Sequence, residues 1–432
     1  MQNAMYRVLS NRQFKTSQAA TPVSRRQGRG WGKLSKLALG LVLAGLAGGG
    51  LGGCNSTPQH IQQAVMYYNV GDYPAAQNLL KPDIVQKDAG FVLNNCRYGS
   101  CAVAGGDLTG AEQSFLAAYE VINGVNTNTG GRTLGATLVF EGVKVWKGEP
   151  FERAMAHYYL GLIYMIKGDY ENARSAYRNS LFKLREYASD KDKKLDADKY
   201  KEFESKFALG YFGLGLCYQR LGNMDTAADN FKQAVALRPD LGPVVTAVQK
   251  PETNVLMFVD YGHGPARAGK GWYNEESAFG PTPAEAGPVP GIKVTADAQE
   301  LTGPNHYDMV DTLAMAQDQK WMDIDTIRKT KAVIGTGAMA AGAGVAGYGI
   351  NRGDTGTALV GLGILAAGAA IAASSQADLR YWEMLPRTVY IVPGHVEPGE
   401  HTFSVIAGGS TIPPFKMTVK PTGDTVIYVR LR

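Results

Sequence analysis

Through residues 57–240, apolar and small side chains recur at intervals of three and four, the spacing of one buried helical face. They come in pairs of segments about a dozen residues long, parted by a glycine and a polar residue, which predicts helix, tight turn, helix. The clearest pair is FALGYFGLGLCYQRLGNMDTAADNFKQAVALRPD at 207–240, and HYYLGLIYMIKGDYENARSAYRNSL repeats the scheme upstream. A third copy, AVMYYNVGDYPAAQNLL, opens the region; a fourth shows only its second helix, marked by Gly106, Ala111, Phe115 and Ala118. After Pro239 the pattern changes. NVLMFVDYG at 254–262 predicts a strand, residues 262–305 are rich in Gly and Pro, and 307–331 return to helical spacing. From Thr388 the runs TVYIV, HTFSVIA, FKMTV and TVIYVRL alternate between turn sequences, which predicts a small β-sandwich-like module that the strand at 254–260 can join.

The paired segments resemble the tetratricopeptide (TPR) repeat, a 34-residue helix–turn–helix unit. In the best copy Gly215, Tyr218, Gly222, Ala227, Phe231, Ala234 and Pro239 occupy the consensus places. In the second, Gly161, Tyr164, Gly168, Ala173, Tyr177 and Ser180 do so, and in the third Ala64, Tyr67, Gly71, Tyr73, Ala76 and Leu80. Small residues let paired helices approach, and aromatic ones fill the space between turns. The resemblance implies an array of about four repeats whose groove binds a partner protein. Two segments interrupt it. TNTGGRTLGATLVFEGVKVWKGEPFE predicts an ordered loop or short hairpin over the concave face, and REYASDKDKKLDADKYKEFESK predicts helix extensions joined by a solvated turn.

Between the helical run and the C-terminal strands, AVIGTGAMAAGAGVAGYGI (332–350) and TALVGLGILAAGAAIAAS (357–374) flank NRGDTG. Gly335, Ala338, Gly342, Ala346 and Gly349 form a small-residue stripe on the first arm; Gly361, Ala366, Ala369 and Ala373 form a looser one on the second. Glycine in a helix costs roughly 1 kcal/mol relative to Ala, so something must offset it. The options are a close-packed hairpin buried within the protein or between copies, and a hairpin entering a bilayer. The expected class is therefore mostly α: a TPR helical array, a Gly/Ala-rich helical hairpin and a small C-terminal β-sandwich-like module. The expected boundaries are 1–53, 54–240, 241–331 (strand, loop and helix), 332–375 and 376–432.

Charge sharpens the picture only once it is divided. Residues 1–53 hold eight Lys/Arg and no Asp or Glu, leaving 36 basic against 39 acidic residues in the rest of the chain. The overall +5 therefore belongs to the leader and argues for no nucleic-acid partner. The basic stretch ends at Lys36 and LALGLVLAGLAGGGLGG runs to Cys54, as in a secretory signal peptide. Its length places the expected start at Met5 or beyond. Leu51-Gly52-Gly53-Cys54 resembles the bacterial lipobox, which implies a diacylated Cys54 as mature N-terminus; the alternative is an ordinary signal or uncleaved anchor with a chance cysteine. Asn55 after the cysteine resembles an outer-membrane address facing the periplasm, rather than inner-membrane retention. Cys96 and Cys101 are the close pair in an exported chain, yet a spacing of five puts them on different helix faces. Cys217 falls on a repeat's apolar face, a core position.

Candidate chemistry is sparse. GPARAGKG (264–271) fits G-x4-G-K, but Gly271 replaces the Ser/Thr and no helix is expected behind it, so a flexible basic loop is the expectation. The six histidines are scattered and no nucleophile motif occurs, so no metal, cofactor or catalytic residue is expected. The chain also resembles a poorly characterised family of large bacterial TPR lipoproteins. It does so through F-E-R at the start of GEPFERAMAHYYLGLIYMIKGD, the turn in FVDYGHGP, and Ala377, Asp378, Arg380, Trp382, Leu385 and Pro386. That resemblance implies an envelope role and carries no catalytic residues. The expected function is a membrane-anchored, periplasm-facing scaffold. The alternative is a structural subunit of an outer-membrane assembly, secretion or surface-appendage, that oligomerises through the glycine-rich hairpin.

Overall fold

The computed structural model divides the chain into two compact units, Met1–Cys54 and Asn55–Arg432. It describes residues 57–123, 145–146, 148–191, 207–270, 276–282, 285, 287–301, 308–312, 324–373 and 378–432. Cys54, the insertion at 124–144 and most of the charged stretch after Lys191 lie outside the described residues.

Eight helices pair in sequence: α1 (Gln59–Val70) with α2 (Tyr73–Leu80), α3 (Phe91–Ala104) with α4 (Leu108–Asn123), α5 (Pro150–Lys167) with α6 (Tyr170–Lys191), and α7 (Ala208–Arg220) with α8 (Met224–Leu237). Each turn is built the same way. Gly71, Gly106, Gly168 and Gly222 all take φ near +80°, a conformation that other residues reach only with strain. The next residue caps the second helix: Asp72, Asp107, Asp169 and Asn223 accept from backbone amides three residues on. Within each pair a small residue of the first helix meets a large one sixteen positions later. A Cβ at Gly99, Gly161 or Gly215 would sit 2.6–2.7 Å from the ring of Phe115, Tyr177 or Phe231. In the first pair Ala64 and Leu80, both fully buried, take those places. The first helix of the weak copy is thus α3, with Gly99 as its contact residue. It was hidden because Asn94, Asn95, Arg97 and Ser100 lie on it, all buried.

A 3₁₀ turn (Pro239–Leu241) and α9 (Gly242–Val248) lead into β1 (Val255–Tyr261). The remaining strands are β2 (Ala266–Lys270), β3 (Glu276–Gly280), β4 (Ile292–Ala296), β5 (Gln299–Glu300), β6 (Asp308–Asp311), β7 (Thr388–Gly394), β8 (Gly399–Ala407), β9 (Ser410–Thr411), β10 (Phe415–Val419) and β11 (Thr425–Leu431). One sheet has the order β11-β1-β7-β6, with β1 parallel to β11 and antiparallel to β7. A second has the order β10-β8-β4-β5, with β9 on β8. Their facing side chains, among them Val255, Met257, Val259, Val294, Phe403 and Val405, share one core.

Strands from 255–311 and from 388–431 therefore interleave, and the regions expected at 241–331 and 376–432 share a core. Local patterning could not show this, because the β1–β11 ladder joins residues far apart in sequence. Two further expectations are corrected. Residues 308–311, expected as helix, pair with Thr388–Ile391 at the sheet edge, a tertiary pairing that overrides local spacing. GPARAGKG is no flexible loop: Ala266–Lys270 pairs with Glu276–Gly280, and Arg267 holds Glu149 at 2.7 Å.

Helices α10 (Ile324–Arg352) and α11 (Thr355–Ala373) run antiparallel and touch backbone to backbone. A Cβ at Gly342 would collide with Leu365 N, one at Gly349 with Ala358 N, and one at Gly361 with Ala346 N. The expected stripe on the first arm holds at Gly342, Ala346 and Gly349. On the second arm the contact runs through Ala358, Gly361 and Leu365, whereas Ala366 faces outward. Among the described residues no helix is long and apolar enough to cross a membrane.

Candidate functional site

The sheet that carries β1 buries both of its faces, which is why its strands read as continuous apolar runs. Alternate residues point away from the second sheet. Leu256, Phe258, Val389, Ile391 and Val426 join the core of the repeats, together with Trp382, Met384 and Leu385. Tyr68 of α1, Arg97 and Ser100 of α3, Phe115 of α4 and Tyr159 of α5 meet the sheet and the segment before β7, so the chain's own strands cover this part of the array.

A segment from Asp378 to Arg387 crosses this junction as a strap, held by the repeats, by Trp146 before α5 and by the turn after β1. The amide of Trp382 donates to Glu152 Oε1 at 2.7 Å, and its indole N–H donates to Ser100 at 3.0 Å. Its ring packs against Phe115 and Tyr159 at 5.8 and 5.7 Å between centroids. Arg97 clamps Glu383 with two N–H donors at 2.9 and 2.5 Å, a bidentate ion pair. Tyr68 donates to the carbonyl of Met384, Trp146 to that of Arg380, and the amide of Gly264 to that of Leu385. The three motifs quoted for the lipoprotein resemblance thus converge: Phe151-Glu152-Arg153, the turn from Asp260 to Pro265, and the strap.

Polar groups at the junction are deeply buried. Asp260 Oδ2 accepts from Tyr159 at 2.5 Å and Tyr428 at 2.8 Å, while Oδ1 is buried with no hydrogen-bond partner. Burial pushes the Asp260 carboxyl up to about 6, against the opposing charge of Arg430. Arg430 donates to Tyr68 and to the carbonyls of Asp260 and Gly262; burial works against its charge, and Tyr68, Tyr428 and Asp260 more than offset it. Burial lifts Glu152 to about 8 even though two backbone amides donate to it. Further along, Asp424 accepts from Tyr170 at 2.5 Å and Arg220 at 2.7 Å, tying the β11 turn to the last two repeats.

Gly161, Ala173, Tyr177, Gly215, Ala227 and Phe231 are buried between paired helices. Tyr164 and Tyr218 are half-buried, with the Arg174 guanidinium 5.5 Å over the Tyr218 ring, and Pro239 opens the 3₁₀ turn at the surface. The family model of the tetratricopeptide repeat matches residues 208–241, and a second tetratricopeptide-repeat model matches 151–190. The chain contains tetratricopeptide repeats. No curated protein matches it. Among solved structures, one titled as a crystal structure of MamA is 19% identical, covers 44% of this chain and 81% of that one, and superposes with a TM-score of 0.28. The MamA RS-1 ArsTM double mutant is 16% identical over 49% of this chain and 98% of that one, with a TM-score of 0.28. Likenesses at these scores carry no functional weight.

TPR repeats are protein-interaction modules, and the structure adds which of their surfaces is taken. Sequence reading missed Arg97, Ser100, Glu152, Tyr159 and Tyr68 as contact residues. Polar side chains at buried places of a helix otherwise rich in small residues were the available signal. Cys96, Cys101 and Cys217 are free and buried, and burial raises each thiol, so none is poised as a nucleophile. His157 packs edge-on against Tyr119 at 4.9 Å. Among the described residues no group of three His, Cys, Asp or Glu could hold a metal ion.

Proposed function

We propose that the chain is a lipid-anchored, periplasm-facing scaffold of the bacterial envelope that binds partner proteins without catalysing a reaction. The observation that carries the reading is the sealed junction. The repeats' inner face is already engaged by the strap and the sheet, whose inward side chains share one buried core with the repeats. Partners then dock on surfaces that remain open, the second helices of the pairs and the outer sheet. Cys54 supplies the anchor, and Asn55 behind it favours the outer membrane.

A photo-crosslinking residue placed in the full chain tests this in cells. Asp229 on α8 and Glu120 on α4 are exposed, whereas Tyr159 is buried at the junction. Adducts of defined mass are expected from positions 229 or 120 and none from 159. Adducts from 159 alone would mean that the strap leaves and the groove is the binding surface. The anchor is tested separately: Cys54→Ala should abolish labelling by metabolic palmitate, and labelling that persists would refute it.

A second reading, a subunit of a multimeric outer-membrane assembly, is favoured by one feature the scaffold reading does not use. The hairpin of α10 and α11 leaves Tyr348, Ile350, Leu359, Val360 and Ile364 uncovered.

A further inference from the structure

We infer that the α10–α11 hairpin is a self-association surface, covered in the assembled protein by the same hairpin of further copies of this chain. The inference deepens the assembly reading and rests on it. Its starting point is charge: from Ala332 to Ile350 and from Thr355 to Ala373 no residue is charged. A helix in water normally carries a polar face, and neither arm has one. The inner seam is already closed by Gly342, Ala346 and Gly349 against Ala358, Gly361 and Leu365, so the remaining apolar side chains are not there to join the two arms.

At 100° per residue, those remaining side chains divide between both broad faces of the hairpin. Ile350 and Leu359 fall on one, and Tyr348, Val360 and Ile364 on the other; Leu359 and Val360 are 63% and 60% exposed. Gly344, Gly347 and Gly363 also point outward, with no atom within 4 Å of a built Cβ, so another backbone can come close. A nineteen-residue arm is about 28 Å long and two packed helices are roughly 18 Å wide. Each face therefore offers on the order of 500 Å² before ridges interdigitate. One face from each of two copies buries about 1,000 Å² in total, the size at which a specific interface begins. A bilayer is the competing cover, but no described helix is long and apolar enough to cross one. The tip adds complementarity. At the tip Arg352 lies 4.6 Å over the Tyr348 ring and Asp354 accepts from the amides of Gly356 and Thr357, one at the end of each arm, so a two-fold axis along the hairpin brings each toward the opposite charge of the other copy. Pairing through one face leaves the second open, so the assembly grows beyond a dimer.

The test co-expresses two differently tagged full-length chains, captures one through the other, and measures mass by light scattering in mild detergent. Wild type should co-capture and run above dimer mass. Leu359→Lys blocks one face and should stop assembly at the dimer. Leu359→Lys with Val360→Lys should cut co-capture at least tenfold and leave a monomer with unchanged circular dichroism, both positions being exposed. Ile406→Lys, on an exposed β8 position away from the hairpin, should behave as wild type. A double variant that assembles like wild type overturns the inference while sparing the assembly reading. A wild-type monomer sinks both. In a Cys54→Ala background, which removes the lipid anchor, a double variant that assembles normally but leaves the membrane fraction identifies a bilayer as the cover and also overturns it.

Discussion

Trp382→Ala removes the side chain on which the junction turns. The ring is 1% exposed and packs against the stacked pair of Phe115 and Tyr159, so its loss leaves a cavity in the junction. Truncations of this kind cost about 3–5 kcal/mol. The substitution also strips the Ser100 hydroxyl of the indole N–H it accepts at 3.0 Å in a buried place, which adds about 1 kcal/mol or more. The sum is about 4–6 kcal/mol, a large part of the net stability of an ordinary domain. Trp382→Phe separates the two contributions, because it keeps most of the packing and loses the hydrogen bond; about 1–3 kcal/mol is expected. Urea unfolding followed by both far-ultraviolet circular dichroism and tyrosine fluorescence measures them. In wild type the two probes should coincide, since repeats and sheet share one core. In Trp382→Ala the midpoint should fall and the probes should separate as the halves uncouple. A loss below about 1 kcal/mol with coincident transitions would refute the view that the strap welds sheet to repeats.

Ala227→Leu forces bulk between α7 and α8, where the native residue is 2% exposed, and should cost about 1–3 kcal/mol; Asp229→Leu on the exposed face should change stability little, and equal effects would mean the repeat register is wrong. Asp260 and Glu152 both have raised carboxyl pKa values, so the native state holds their protons more tightly than the unfolded chain. Their contribution is fully present below about pH 4 and is lost as pH rises through about 6 and then about 8, and the wild-type loss near pH 8 should be missing in Glu152→Gln melts. Gly342→Leu should open the hairpin seam and expose α10 and α11 to protease, while Gly344→Ala, facing open space in a helix, should stabilise by up to about 1 kcal/mol. Protease patterns that are the same for both would refute the seam.

The repeats were legible because their constraints are local. A left-handed glycine, a capping Asp or Asn and a small-to-aromatic contact at a spacing of sixteen all fall within one helical pair. Gly161 with Tyr177 and Gly215 with Phe231 could be read directly, and Gly99 with Phe115 could have been read by the same rule. The hairpin arms were legible from composition, and the C-terminal strands from alternation. What could not be read was where the sheet would lie. Leu256 and Phe258 alternate with Met257 and Val259, yet all are apolar, because one set meets the repeats and the other the second sheet. Glu152 and Arg97 look like ordinary surface charges until Trp382 and Glu383, more than two hundred residues later, are set beside them. The candidate site is built from contacts between distant segments, and spacing along the chain carries no trace of them.

The parallel pairing of β1 with β11 also has a kinetic side. Asp260 and Arg430, joined across it, are 170 residues apart, whereas every helical pair closes within about forty. Chains complete local contacts before distant ones, since long loops must be closed before they are rewarded. The repeats therefore form while the strand that completes their covering is still free, and for that interval their inner face, lined by Tyr68, Phe115 and Tyr159, is open to solvent. The interval is when this protein is most exposed to aggregation and to capture by holding chaperones. Variants that slow strand closure, such as Arg430→Ala, should lengthen it.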